Sequence, residues 1–374
     1  MSDIQIVKVE SQSQLKTFIR LPWKIYRNDS NWVPPLIMDI KNLLNRQKNP
    51  FFQHSSADYF LAYKNGQPAG RIAAILNNNH NEFHGEKTGF FGFFESIDDL
   101  EVAKALFSKA EEWVKSKGQE RLRGPMNFTT NDTCGMLLEG FDLPPMIMMT
   151  YNPSYYNGLL QSLDYEKAED LLAYKMLTAQ RMGDRISKLA DLVRQKEGIT
   201  VRQINMKNFW QEVKFVHRIY NDAWSKNWGF VPMTDAEFHH LAKELKPVVD
   251  PRYALIAELD GEPIGFGLSL PDFNQALIKI NGRLFPFGLP KLLYHARKID
   301  QIRVIILGVI KKHQHTRGLG SLLYQETYDR GVKHGLTGGE FSWILESNKA
   351  MNSAARIMGA HVYKRYRVYE KSLL

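Results

Sequence analysis

The chain has 374 residues, 44% of them hydrophobic and 24% charged, with a formal net charge of +9. This composition excludes extensive disorder, and the length predicts two domains at roughly 100–200 residues each. There is no run of ~18 apolar residues to span a bilayer. The opening residues lack a basic-then-apolar leader, and the single cysteine, Cys134, cannot form an internal disulfide, which together predict a cytoplasmic protein. Charge is uneven: residues 1–180 hold 19 Lys and Arg against 21 Asp and Glu, whereas 181–374 hold 30 against 19. A second half at net +11 suits a polyphosphate, a nucleic acid or an anionic membrane.

The predicted elements, in chain order, form two similar series. In the first, YFLAYKNGQPAGRIAAIL (59–76) reads as two β-rich runs about Asn65-Gly66, a pair that accepts positive φ in a tight hairpin. A strand follows at 89–94, then FFESIDDLEVAKALF, a helix with Ser96 or Asp98 as cap. NPSYYNGLLQSLDYEK, from Asn152, reads as a helix that stops near Asp164 and passes into an aromatic strand. The polar, helix-prone stretch 179–198 is the predicted linker.

The second series begins with a strand at 199–204, a helix on Phe209, Val213, Val216 and Tyr220, and another helix at 235–245. The hairpin YALIAELDGEPIGFGLSL (253–270) turns at Asp260-Gly261. Gly66, Pro68 and Gly70 recur as Gly261, Pro263 and Gly265, each 195 positions later, and Asn348 stands 196 positions after Asn152. Correspondences in order at nearly one offset mark a duplicated αβ unit. RVIILGV (303–309) is the continuous apolar run of a strand buried on both faces. Then come KKHQHTRGLG, a helix at 319–334, a strand at 339–345, a helix at 348–358 and a strand at 361–370. Strand, basic loop, Gly318-x-Gly320 and helix form an arrangement for phosphate: glycines admit the anion, and first-turn N–H groups point at it.

This order, from Arg303 to Lys371, resembles the GNAT superfamily of acyl-CoA-dependent N-acyltransferases, whose loop reads Gln/Arg-x-x-Gly-x-Gly/Ala. The repeat extends the resemblance to the first half. It implies a mixed α/β (α+β) protein of two tandem GNAT-like domains, each a mostly antiparallel central sheet flanked by helices. A degenerate domain would cover 1–178, a helical linker 179–198 and an acyl-CoA-binding domain 199–374. The resemblance further implies that acetyl-CoA or a longer acyl-CoA rests its pyrophosphate on His315, Thr316, Arg317, Gly318, Leu319, Gly320 and Ser321. Its pantetheine arm would run between 303–309 and 339–345, with the carbonyl oxygen held by the N–H of Val309 or Ile310. Asn348 would contact the cofactor or cap its helix. His315 stands where Gln or Arg is usual, and the tyrosine that many members use as general acid falls at Ala355. In the first half, Glu95, Asp98 and Asp99 replace the loop glycines and would repel a pyrophosphate. One cofactor site per chain follows, with the first domain as scaffold or substrate wall.

Aminolysis of a thioester needs an uncharged amine, a polarised carbonyl and a protonated leaving thiolate. Glu346, ending WILESN, is the expected base, with helix capping as its other reading; Tyr363 is an expected proton donor. No Cys/His spacing marks a metal site. The insertion 274–300 sets Leu284, Phe285, Phe287 and Leu289 beside Arg283, Lys291 and Arg297. That mixture suits peripheral contact with an anionic inner membrane face, or a greasy channel for a small-molecule or lipid-like amine acceptor; a packed lid is the plain alternative. Rival readings are an aminoacyl-tRNA-dependent transferase and a non-catalytic acyl-CoA-binding sensor. DNA binding is not expected, since no helix-turn-helix or arm signature accompanies the charge.

Overall fold

The computed structural model describes residues 3–314 and 318–374. Two compact units emerge: Met1–Leu171 with Leu277–Leu292 and Lys364–Leu374, and Leu172–Ala276 with Leu293–Tyr363. The stretch 179–198 lies within the second unit, where Asp184–Arg194 is helical and buries Ile186, Ala190 and Val193.

In the first unit the strands Ile4–Lys8, Ser56–Lys64, Gln67–Leu76 and Thr88–Ser96 pair antiparallel in that order. A parallel step leads to Arg121–Gly124, against which residues 369–372 pair antiparallel. Asn65 and Gly66 adopt φ of 50° and 75°, the double positive φ of the predicted hairpin turn. The helix Leu100–Ser116 buries Val102, Leu106, Ala110 and Val114 on its sheet-facing stripe. Its cap is Asp99, which accepts from the N–H groups of Glu101 and Val102. The predicted caps are displaced because Ser96 still belongs to the strand and its hydroxyl bonds Ile97 O.

The second unit repeats the plan. Ile199–Gln203, Ala254–Leu259, Glu262–Pro271 and Gln301–Val309 are antiparallel, and Gln301–Val309 then runs parallel to Gly338–Leu345. The strand Glu166–Leu177, from Leu172 onward, lies beside Gly338–Leu345. Asp260 and Gly261 repeat the turn at φ 51° and 82°. Ala190 and Val193 of the Asp184–Arg194 helix share a core with Leu319, Leu322 and Leu323 of the helix Leu319–Lys333 and with Leu255, Ala257 and Ile264 of the sheet. At ~1.5–3 kcal/mol per buried aliphatic side chain, this stripe is what binds the expected linker into the unit. The fold class is the mixed α/β arrangement expected from the sequence.

Candidate active site

Parallel pairing between Gln301–Val309 and Gly338–Leu345 ends at Val304 and Phe341, although both strands continue. On the other flank Leu268 pairs with Ile306 and Ser269 with Val304. Ile305 is therefore an extra residue, a bulge that bends the strand away from its parallel neighbour. The parted strands border a cavity of about 100 Å³, lined by Ile305, Leu307, Ser342, Leu345, Asn348 and Met351 among others.

The two expected oxyanion donors differ. Ile310 N–H donates to Ile264 O at 2.9 Å and is spent in the sheet. Antiparallel ladders alternate the direction of their amides, so Val309, opposite Gly265, turns its N–H toward the opened side. Glu346 is exposed just past the end of the neighbouring strand Gly338–Leu345.

Of the expected phosphate turn, His315, Thr316 and Arg317 lie outside the described residues. Gly318 caps the Leu319–Lys333 helix at φ 96°, and Leu322 N–H reaches its carbonyl at 2.9 Å. Leu319, Gly320 and Ser321 thus supply the first-turn amides that a helix leaves without intrahelical acceptors. The two glycines serve different ends. A Cβ on Gly318 would stand 2.9 Å from Leu189 O, so packing and φ together demand glycine there. A Cβ on Gly320 would meet nothing within 4 Å among the described residues.

Asn348 accepts from Met351 N–H at 3.1 Å and caps Lys349–Met358, the second of its two readings. The Tyr363 hydroxyl donates to the Glu340 carboxylate rather than facing the cavity. Ser342, which does line the cavity, donates to the same carboxylate and accepts from Arg303 Nε at 2.7 Å. Glu340 is fully buried opposite Arg303 on the adjacent strand. Sequence reading missed this cluster; its signal was a charged pair and a serine inside two otherwise apolar strands.

The first unit has the same framework with its gap filled. Ser96 lies opposite Gly70 as Val309 lies opposite Gly265, and Ile97 N–H donates to Ala69 O as Ile310 does to Ile264 O. Yet Ser96 N–H is taken by the Tyr156 hydroxyl at 2.8 Å. Asn127 Oδ1 takes Phe93 N–H at 2.7 Å, and Met126 O stands 2.0 Å from where a Cβ on Gly92 would be. Glu95 accepts from Tyr156 and Tyr26 at 2.8 and 2.9 Å, 3.5 Å from Arg71. Burial raises its carboxyl and Arg71 opposes that shift. Asp99 is paired with Lys64. Glu95 and Asp99 thus hold structural pairings, and the gap is closed by packing.

A tandem GNAT protein from the clavulanic acid biosynthesis pathway superposes with a TM-score of 0.59 over 99% of this chain and 98% of its own, at 13% identity. A GCN5-related N-acetyltransferase from Anabaena variabilis gives 0.54 over 100% of this chain and 73% of its own, at 10% identity. The fold is thus that of the tandem GNAT proteins. No protein-family model matches the chain. Full-length relatives do: bacterial ceramide synthase of Caulobacter vibrioides is 38% identical over 100% of this chain and 98% of its own length. Protein YghO of Escherichia coli is 39% identical over 97% and 94%. The chain belongs to the family of these two proteins, and it is an acyltransferase.

Proposed function

We propose that the second unit moves a long acyl chain from coenzyme A to the primary amine of a lipid-like acceptor. The observation that carries this reading is the conjunction at one strand end of the parted cleft, the inward N–H of Val309 and the room at Gly320, where a Cβ would meet nothing within 4 Å among the described residues. One relative is named for ceramide synthesis, and a ceramide is an amide of a long-chain amine, which supports the same acceptor class here.

The amides of Leu319, Gly320 and Ser321 take the diphosphate at the positive end of the helix. The pantetheine arm lies in the cleft, and the acyl chain passes Tyr324 and Phe341. A second, apolar cavity of about 40 Å³ lies there, sharing Val304, Tyr324 and Phe341 with the first. Val309 N–H holds the negative charge that develops on the carbonyl oxygen. Glu346 takes the amine proton as the C–N bond forms, and collapse of the tetrahedral adduct breaks the C–S bond and expels coenzyme A thiolate, which takes a proton from solvent. Tyr363 and Glu340 act behind this site by fixing Ser342. The first unit, its gap filled, serves as scaffold.

Calorimetric titration with palmitoyl-CoA tests this. One equivalent should bind per chain, and Gly320→Val should weaken binding at least about tenfold, the loss of one or two charge-assisted contacts, without lowering Tm. Unchanged affinity in the variant, or two equivalents per chain, would count against it.

A further inference from the structure

Phe285 and Phe287 stand 76% and 72% exposed on the Leu277–Leu292 segment of the first unit. Their exposure is held in place. Ile37 N–H donates to Gly282 O at 3.1 Å, and Trp23 Nε1 donates to Asn281 Oδ1 at 2.7 Å. Gly282 lies so close that a Cβ would be 2.5 Å from Pro35 O and 2.6 Å from the Trp23 ring. The turn that carries the two rings is therefore fastened to the unit, and neither ring is folded back onto it.

Beside them runs a groove of about 440 Å³, lined by Leu36, Met38, Phe285, Arg20, Lys41 and Arg283 among others. Met38 is itself 55% exposed. Arg20, Lys41 and Arg283 have no carboxylate partner among the described residues. Elsewhere on this unit Lys8 and Arg46 share Asp58, Lys87 holds Glu120 and Lys109 holds Glu112. Asp39, on the same helix as Lys41, already has a partner.

We propose that this face docks on an anionic phospholipid bilayer, with Phe285, Phe287 and Met38 entering the acyl boundary and Arg20, Lys41 and Arg283 meeting lipid phosphates. The charge pattern selects that occupant. Unpaired cations around apolar side chains match an anionic interface on both counts, whereas a second copy docking through the same face would set cation against cation. Among the described residues no helix is long and apolar enough to cross a membrane, so the contact is peripheral. It goes beyond the transfer reaction and places a greasy acceptor's source beside the enzyme.

The test is flotation of the full chain with vesicles of phosphatidylcholine, alone or mixed with phosphatidylglycerol. The protein should float with the mixed vesicles only, and salt should release it. Phe285→Ser with Phe287→Ser should abolish flotation. Lys41→Gln and Arg283→Gln should each weaken it about fivefold. Both sets should keep wild-type Tm and palmitoyl-CoA affinity, which separates lost docking from lost fold. Wild-type protein that never floats, variants that float equally well, or a wild-type dimer split by Phe285→Ser would overturn the proposal. No acyl-CoA enters the flotation, so its failure leaves the cleft untouched, and failure of the titration leaves the docking face untouched.

Discussion

The hydroxyl of Tyr174 donates to Asn352 Oδ1 at 2.9 Å, and the hydroxyl of Tyr369 donates to Asn157 Oδ1 at the same distance. Both members of the pair recur at 195 positions, but crosswise: Tyr174, from the first series, belongs to the second unit, and Tyr369, from the second series, belongs to the first. Each unit thus takes its last strand from the other repeat. Asn352 uses its amide group to bind Leu345 O, Glu346 O and Asn348 O, so Tyr174 fixes the turn that carries the proposed base.

Tyr174→Phe should therefore leave Asn352 Oδ1 without its donor, at a cost of about 1–3 kcal/mol for a buried acceptor. Turnover should fall several-fold while palmitoyl-CoA affinity holds, because the turn that loosens bears Glu346 and not the phosphate amides. Steady-state kinetics beside calorimetry separates the two. A loss confined to Tm, with kcat unchanged, would make the tyrosine structural only.

Glu346→Gln should reduce kcat by about 10²–10⁴-fold, the usual worth of a positioned base, and flatten the acid limb of the pH–rate profile. Acyl-CoA binding should be unaffected. If the limb persists, the proton leaves by another route, and Glu340, reached through Ser342, is next to replace.

Gly331 lies in the last turn of the Leu319–Lys333 helix and lines the smaller apolar cavity. A Cβ there would sit at ordinary contact, 3.5 Å from Leu336, so close packing does not require glycine, which costs about 1 kcal/mol against alanine in a helix. Gly331→Leu should fill the cavity, keeping turnover of short acyl-CoAs and losing about tenfold on long ones for every two methylenes displaced. A chain-length profile parallel to that of the wild type would remove the cavity from the acyl path.

Acid stability should depend on His80 and Glu86. Burial holds His80 down at about 4 against 6.5, with the Glu86 hydrogen bond opposing. Burial pushes Glu86 upward, but Arg123 and the hydrogen bonds from Thr88 and His80 prevail and hold it at about 2 against 4.5. Both folded values lie below the unfolded ones, so the unfolded state binds more protons in acid. The His80 contribution, about 3 kcal/mol, is present above pH 6.5 and lost toward pH 4; that of Glu86 is present above 4.5 and lost toward 2. Tm measured against pH should decline less between 6.5 and 4 in His80→Gln. An identical slope would refute the assignment.

Much of the fold was legible because turns and periodicity are local. Asn65-Gly66 and Asp260-Gly261 named both hairpins, and the apolar run 303–309 named the cleft strand. What sequence reading missed was long-range. The tie between Asp184–Arg194 and the Leu319 helix rests on Leu189 and Val193 meeting Gly318, a contact between residues far apart in the chain. The closure of the first unit's gap by Asn127 and Tyr156 has no signature in spacing, because both partners reach Phe93 and Ser96 from distant parts of the chain. Glu340 has no local signal, because only the pairing register sets it opposite Arg303.

The most direct measurement is a reaction of the full chain with palmitoyl-CoA and a long-chain amino alcohol, following free coenzyme A thiol and amide product together by mass spectrometry. Thiol and N-acyl product should appear in equal amounts, and both should form at least about tenfold more slowly in Gly320→Val at limiting acyl-CoA. Tight acyl-CoA binding with no thiol released toward any amine would contradict the account.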